Sequence, residues 1–187
     1  MKPQNKYSFF LILVFTLLLS FDGLTQSKED PFTAKKAIYL ELGGSSGVYG
    51  FNYGTIFHQK GKLKLNASAG FSLLIRETSN SSTFWLPAIP FELTALYGKS
   101  NHHLEIGFGV LPYLDAGSSF DSETLELKDK VVFDTAIPLR IGYRYQKPEG
   151  GFFFRIGYTP FFNAPVGSRE EWTFMPIFGG ISFGKSF

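Results

Sequence analysis

Apolar and polar residues alternate along most of the chain beyond residue 36, with a period of two and not the longer period of a helix. The stretch Trp172 to Phe187 reads W-T-F-M-P-I-F-G-G-I-S-F-G-K-S-F. Counting back from Phe187, the alternate positions Phe183, Ile181, Ile177 and Met175 are apolar, interrupted by Lys185 and Gly179. Between them stand the small residues Ser186, Gly184, Ser182 and Gly180. One apolar face and one slim face predict a strand.

The same alternation recurs in two forms. Leu40-Glu41-Leu42-Gly43, Ala67-Ser68-Ala69-Gly70, Leu104-Glu105-Ile106-Gly107 and Phe154-Arg155-Ile156-Gly157 share the pattern apolar-x-apolar-Gly. In the second form Pro90, Pro138 and Pro176 are followed at the same distance by Lys99, Lys147 and Lys185, each preceded two residues earlier by Tyr97, Tyr145 or Phe183. Tyr49 to Phe57 fits as a further copy, although it lacks the proline and its lysine, Lys60, arrives one residue late. Alternating the two forms predicts an eight-stranded antiparallel up-and-down sheet.

Connections at Gln59-Lys60-Gly61, Gly98 to Asn101 and Lys147 to Gly151 are short, whereas Arg76 to Thr83, Asp115 to Lys130 and Asn163 to Glu171 are longer and polar. Short turns at one end and long loops at the other are the asymmetry of a transmembrane barrel. A tilted spanning strand needs about 9 to 11 residues, which matches the proline-to-lysine interval. Proline has no N–H for the ladder, so the prolines are expected near the outer rim. Phe57, Tyr97, Tyr145 and Phe183 then form an aromatic girdle at the inner rim, and the lysines reach into the headgroups.

Alternation alone does not say which face points inward. An eight-stranded barrel is just wide enough to be filled by side chains, and packing nearly all the large apolar residues inside would overfill it. The Gly, Ser, Asn and Thr face fits the lumen and carries the charges. Glu41, Glu92, Glu105, Arg140 and Arg155 then fall at similar height, with Arg144 and Lys64 beneath them. Buried charges must be paired. The expectation is a Glu–Arg network filling the centre, in which Glu105 faces Arg140, while Phe178 brings an aromatic to the same layer. A charged constriction in a narrow pore is the alternative.

Composition sharpens this picture. The 187 residues include 22 Phe, 9 Tyr and 20 Gly but no Cys, which excludes disulfides, a lipoprotein anchor and thiolate metal sites. A net charge of +2 does not point to a nucleic-acid partner. Lys2 and Lys6 precede an almost wholly apolar run from Tyr7 to Phe21, followed by Gly23, Thr25 and the polar run Gln26 to Asp30. That order predicts a cleaved secretory signal peptide over 1–25, a periplasmic linker over 26–36 and the barrel over 37–187. A retained helical anchor would need about 18 apolar residues, and the run is shorter.

On the strength of this leader, of Ile137 to Tyr145 and of the closing Gly179 to Phe187, the mature chain resembles the small outer-membrane β-barrel proteins of Bacteroidetes-type bacteria, and more loosely the OmpA/OmpX-like eight-stranded class. The resemblance implies a Gram-negative outer membrane, lipid as the surrounding partner, and recognition of the final strand by the barrel assembly machinery with Phe187 as leading contact. It implies no shared activity.

Catalytic, metal and cofactor sites are not expected. A lipid A-modifying hydrolase would need a Ser/His/Glu arrangement, and His58, His102 and His103 fall near the short turns, opposite the surface such chemistry wants. The expectation is a monomeric, non-enzymatic barrel whose long loops are available to an extracellular partner. A soluble, exported lipocalin-like barrel binding a small apolar ligand is the alternative.

Overall fold

The computed structural model describes residues 32–77, 83–121 and 126–187. The expected signal peptide, residues 26–31 of the expected linker and the tips of two long connections lie outside the described residues. Eleven strand segments follow in chain order: β1 (Lys36–Gly43), β2 (Tyr49–Lys60), β3 (Leu63–Glu77), β4 (Thr83–Ala88), β5 (Phe91–Tyr97), β6 (His102–Asp121), β7 (Glu126–Gln146), β8 (Gly151–Tyr158), β9 (Phe161–Asn163), β10 (Thr173–Met175) and β11 (Gly179–Ser186).

Eight of them close a ring, β1-β2-β3-β5-β6-β7-β8-β11 and back to β1, with every pairing antiparallel. The first and last strands close it in the register Ile38↔Lys185, Leu40↔Phe183 and Leu42↔Ile181. Closure leaves no free edge in this part of the wall, so the backbone groups are satisfied within the ring itself.

The remaining segments build the wall upward from the ring at the long-loop end. β3 exchanges its partner β5 for β4 above Ala69, and β7 exchanges β8 for β9 above Ile141. The prolines mark this transition. Pro90 and Pro176 of the repeat stand in the interruptions β4/β5 and β10/β11, as Pro160 does in β8/β9, where a residue without an N–H costs the ladder least. Pro138, the third proline of the repeat, lies instead inside β7, opposite Phe161. Carbonyls at the interruptions remain useful: Gly70 N–H donates to Pro90 O at 2.9 Å and Leu139 N–H to Pro160 O at 2.9 Å. The prolines therefore lie within the wall, below paired strand, and not at its outer rim as the repeat alone suggests.

The late lysine of β2 also has a structural cause. The β2–β3 register slips between Ile56 and His58, a bulge that absorbs one extra residue before Lys60.

The two faces divide by polarity. Leu104 is 67% exposed, Phe51 64% and Ile141 63%, all on the outside of the ring. Inside, Arg140 and Arg155 are fully buried, and Glu41, Asn52, Lys64, Glu92, Glu105 and Ser182 are nearly so. Above this polar layer the interior turns apolar: Leu74, Leu86, Ala88, Leu111, Ala136 and Phe161 form one packed cluster. The Glu–Arg lattice is thus confined to the closed ring, while the upper interior keeps a few buried polar residues such as Ser72 and Asp134.

Candidate functional site

The ring's interior is filled from three directions. Its centre is a lattice of three carboxylates and three guanidinium groups. Arg140, on β7, donates from Nε to Glu92 Oε1 at 2.5 Å and from Nη2 to Glu41 Oε1 at 2.5 Å. Arg155, on β8, reaches Glu92 Oε2 at 2.6 Å, Glu41 Oε1 at 2.7 Å and Glu105 Oε1 at 3.4 Å. Arg144 donates to Glu105 Oε1 at 2.6 Å. Each carboxylate is met by an arginine, which is how ions removed from water avoid a penalty of several kcal/mol apiece. Arginine suits the task because its planar fork can serve two carboxylates at once.

The expected partners are redistributed. Glu105 pairs with Arg144 and Arg155, while Arg140 turns to Glu41 and Glu92. In register, Arg140 lies opposite Gly107 and Glu105 opposite Gly142, so strand tilt carries the two groups past one another. Arg144 is accordingly part of the network and not beneath it. Lys64 does lie towards the short-turn mouth, where its Nζ donates to Gly98 O at 3.1 Å.

Phe178 is displaced in the other direction. Its ring packs edge-on against Phe161 at 5.0 Å, in the apolar layer above. The place assigned to it in the central layer is taken by Ser182, which accepts from Arg155 Nε at 3.3 Å and donates to Glu41 Oε1 at 3.3 Å. A hydroxyl fits there because it is both donor and acceptor, and an aromatic ring is neither.

From the long-loop side, the connection between β1 and β2 folds into the lumen. Gly44–Ser46 form a single 3-10 turn, with Gly43, Gly44 and Gly47 at φ 69°, 61° and 76°, a region that glycine enters without steric cost. Ser45 donates to Glu92 Oε1 at 2.5 Å. Ser46 donates its backbone N–H and its hydroxyl to Glu41 Oε2, at 3.1 and 2.8 Å. This turn is a stopper whose hydroxyls complete the network. No strand period marks this turn, but G-G-S-S-G at 43–47 carries its signature.

From the short-turn side, residues 32–35 enter the mouth. Phe32 is 3% exposed and clusters with Ile56 and Leu96. Its ring meets His103 edge-on at 5.4 Å, and Lys64 Nζ lies 5.0 Å from its centroid. Thr33 and Ala34 donate their N–H groups to Pro148 O at 3.0 and 2.8 Å, and Gln146 donates to Ala34 O at 2.9 Å. These four residues, read from sequence as linker, are a second stopper. Between it and the charges, Tyr39 stacks on Phe153 at 4.8 Å, under the guanidinium groups of Arg155 and Arg144.

No protein-family model matches the sequence, and no curated protein matches it. Among solved structures, the chain is similar to the N-terminal β-barrel domain of Pseudomonas aeruginosa OprF, with 12% identity and a TM-score of 0.42 over 82% of this chain and 96% of that one. A likeness at this level assigns neither family nor activity.

The four girdle residues all lie towards the short-turn end of the wall. Phe57, Tyr97 and Phe183 are exposed there, and Tyr145 is half-buried between His102 and Phe152. Phe187 exchanges two backbone hydrogen bonds with Lys36, at 2.9 and 3.0 Å, and its ring is 50% exposed. Of the three histidines, His103 is buried in the lumen and His102 Nδ1 lies 2.6 Å from Tyr143 Oη. Among the described residues, no group of His, Asp and Glu is arranged to hold a metal ion.

Proposed function

We propose that the protein is an outer-membrane β-barrel without enzymatic activity, closed by its own side chains and acting as a structural or surface-interaction element through its long-loop end. The observation that carries this reading is the inverted polarity of the ring. A wall of exposed Leu, Ile, Phe and Tyr encloses a buried lattice of paired Glu and Arg. In water that exterior would be an apolar patch far larger than soluble monomers expose. In a bilayer it is the apolar band of a barrel wall.

The filled interior separates this reading from its alternatives. A lipocalin-like barrel needs an apolar cavity, and here the ring's lumen holds charges, serines and an inward turn. A pore needs a continuous water path, and this one meets stoppers from both ends. The apolar run at residues 7–21 serves in this reading as the core of an export signal.

The protein is expected in the detergent-soluble membrane fraction, with gel mobility that changes on heating. Recovery from the periplasm without detergent would overturn the membrane assignment. In planar bilayers the purified protein is expected to give no steady conductance steps. Regular steps from the unmodified chain, altered or lost on Arg140→Ala, would overturn the closed lumen.

A further inference from the structure

We propose that the short-turn end of the barrel is a recognition surface for anionic phospholipid headgroups. The inference rests on the membrane reading and adds the lipid class that this rim selects. Every junction at this end carries lysine: Lys60 and Lys62 flank the β2–β3 turn, Lys99 lies in the β5–β6 turn and Lys147 in the β7–β8 turn. Where β1 and β11 meet, Lys36 and Lys185 add two more, and Lys35 precedes them. Apart from Lys147, which is half-buried, these lysines are exposed. Glu149 is the single acidic side chain at this rim among the described residues.

The other end has the reverse balance. There the exposed or half-buried Glu77, Asp115, Asp129, Glu170 and Glu171 stand against Arg76, Lys130 and Arg169 among residues whose side chains are described. The cations are therefore sorted to one rim and do not simply coat the surface.

Depth selects a lipid headgroup as occupant. Lys99, Lys147 and Lys185 each follow an aromatic by two residues, Tyr97, Tyr145 and Phe183. Lys185 lies within β11, where the strand period puts it on the same outer face as Phe183 and nearer the rim, and Lys99 and Lys147 lie in the turns just beyond Tyr97 and Tyr145. Lys62 Nζ lies 5.9 Å from the centroid of the Tyr97 ring. Tyrosine rings settle at the boundary between acyl chain and headgroup, and the lysine stem extends from there to put its ammonium at the phosphates. A neutral zwitterionic lipid offers each phosphate with its own cation. An anionic lipid offers the phosphate alone, and a ring of lysines selects for it.

The test uses the full chain in nanodiscs containing equal phosphatidylcholine and phosphatidylglycerol, with retained lipids counted by native mass spectrometry. Phosphatidylglycerol is expected to be retained over phosphatidylcholine by roughly fivefold or more. The quintuple variant K60Q/K62Q/K99Q/K147Q/K185Q should lose this preference, while K130Q at the opposite end should keep it. Should the quintuple variant fail to fold, raising salt to about 1 M, where the Debye length falls to about 3 Å, should erase the preference of the unmodified protein. Millimolar inorganic phosphate should not displace the lipid, and displacement would mean a site for the free anion. Insertion with both lipids retained in proportion to the bilayer would overturn the inference and leave the barrel intact. Failure to enter discs of either composition, with or without phosphatidylglycerol, would instead overturn the membrane reading beneath it.

Discussion

Replacing Arg155 by methionine is expected to lower the unfolding free energy of the barrel by about 3 to 5 kcal/mol, the range for breaking a buried ion pair from one side. Arg155 is the group that touches all three carboxylates, at 2.6, 2.7 and 3.4 Å. Methionine occupies much of the same space, so the loss reports charge more than volume. Of the arginines, Glu41 and Glu92 would keep only Arg140, and the buried lattice would hold three carboxylates against two cations. Unfolding by urea in detergent micelles, followed by gel mobility, measures the change.

Two companion variants separate charge from structure. Arg155→Lys keeps the charge, but a compact ammonium cannot span Glu41, Glu92 and Ser182 as the fork does, and its stability should fall between the two. Adding Glu92→Gln to Arg155→Met removes one surplus negative charge and should recover part of the loss. An Arg155→Met barrel as stable as the unmodified one would show that the lattice is not what holds the lumen closed.

Gly180→Val is expected to be comparably severe, with a loss above about 3 kcal/mol as an overpacked site with stranded polar groups. A Cβ at Gly180 would stand 2.4 Å from Gly44 Cα and 2.5 Å from Gly44 N. Backbone cannot yield as a side-chain tip can, so the inward turn has to lift. Ser45 and Ser46 would then leave Glu92 and Glu41, whose bonds at 2.5 and 2.8 Å complete the lattice. Gly117→Val is the control, because a Cβ there meets nothing within 4 Å, and an open site of that kind should change stability by less than about 0.5 kcal/mol. Hydrogen exchange at Gly44 to Gly47 is the direct readout. Unchanged protection in the Gly180→Val protein would refute the steric account.

The stopper formed by Phe32 shows how far sequence reasoning reaches. Polar residues from Gln26 to Asp30 make residues 26–36 look like linker, and a lone phenylalanine carries no period by which to place it. What buries Phe32 is the mouth formed by Ile56, Leu96 and His103, contributed by three strands far apart in the chain. Ser182 is a similar case. Its alternation puts it on the slim face, but nothing local says it lies level with Glu41. That follows from the pairing Glu41↔Ser182 across the closing seam.

The sequence by itself determined the strand class, the sorting of residues between two faces, the short-turn and long-loop ends, and which Glu, Arg and Lys residues point into the lumen. These are local properties: side chains alternate with a period of two along any strand, and turn composition is read over a few residues. Only the tertiary structure decided which glutamate meets which arginine, where Phe178 sits, how the wall continues above the prolines, and that Gly44–Ser46 and Phe32 close the lumen. Those depend on the stagger between tilted strands once the ring shuts. That stagger is a property of the whole closed sheet and is written in no single strand.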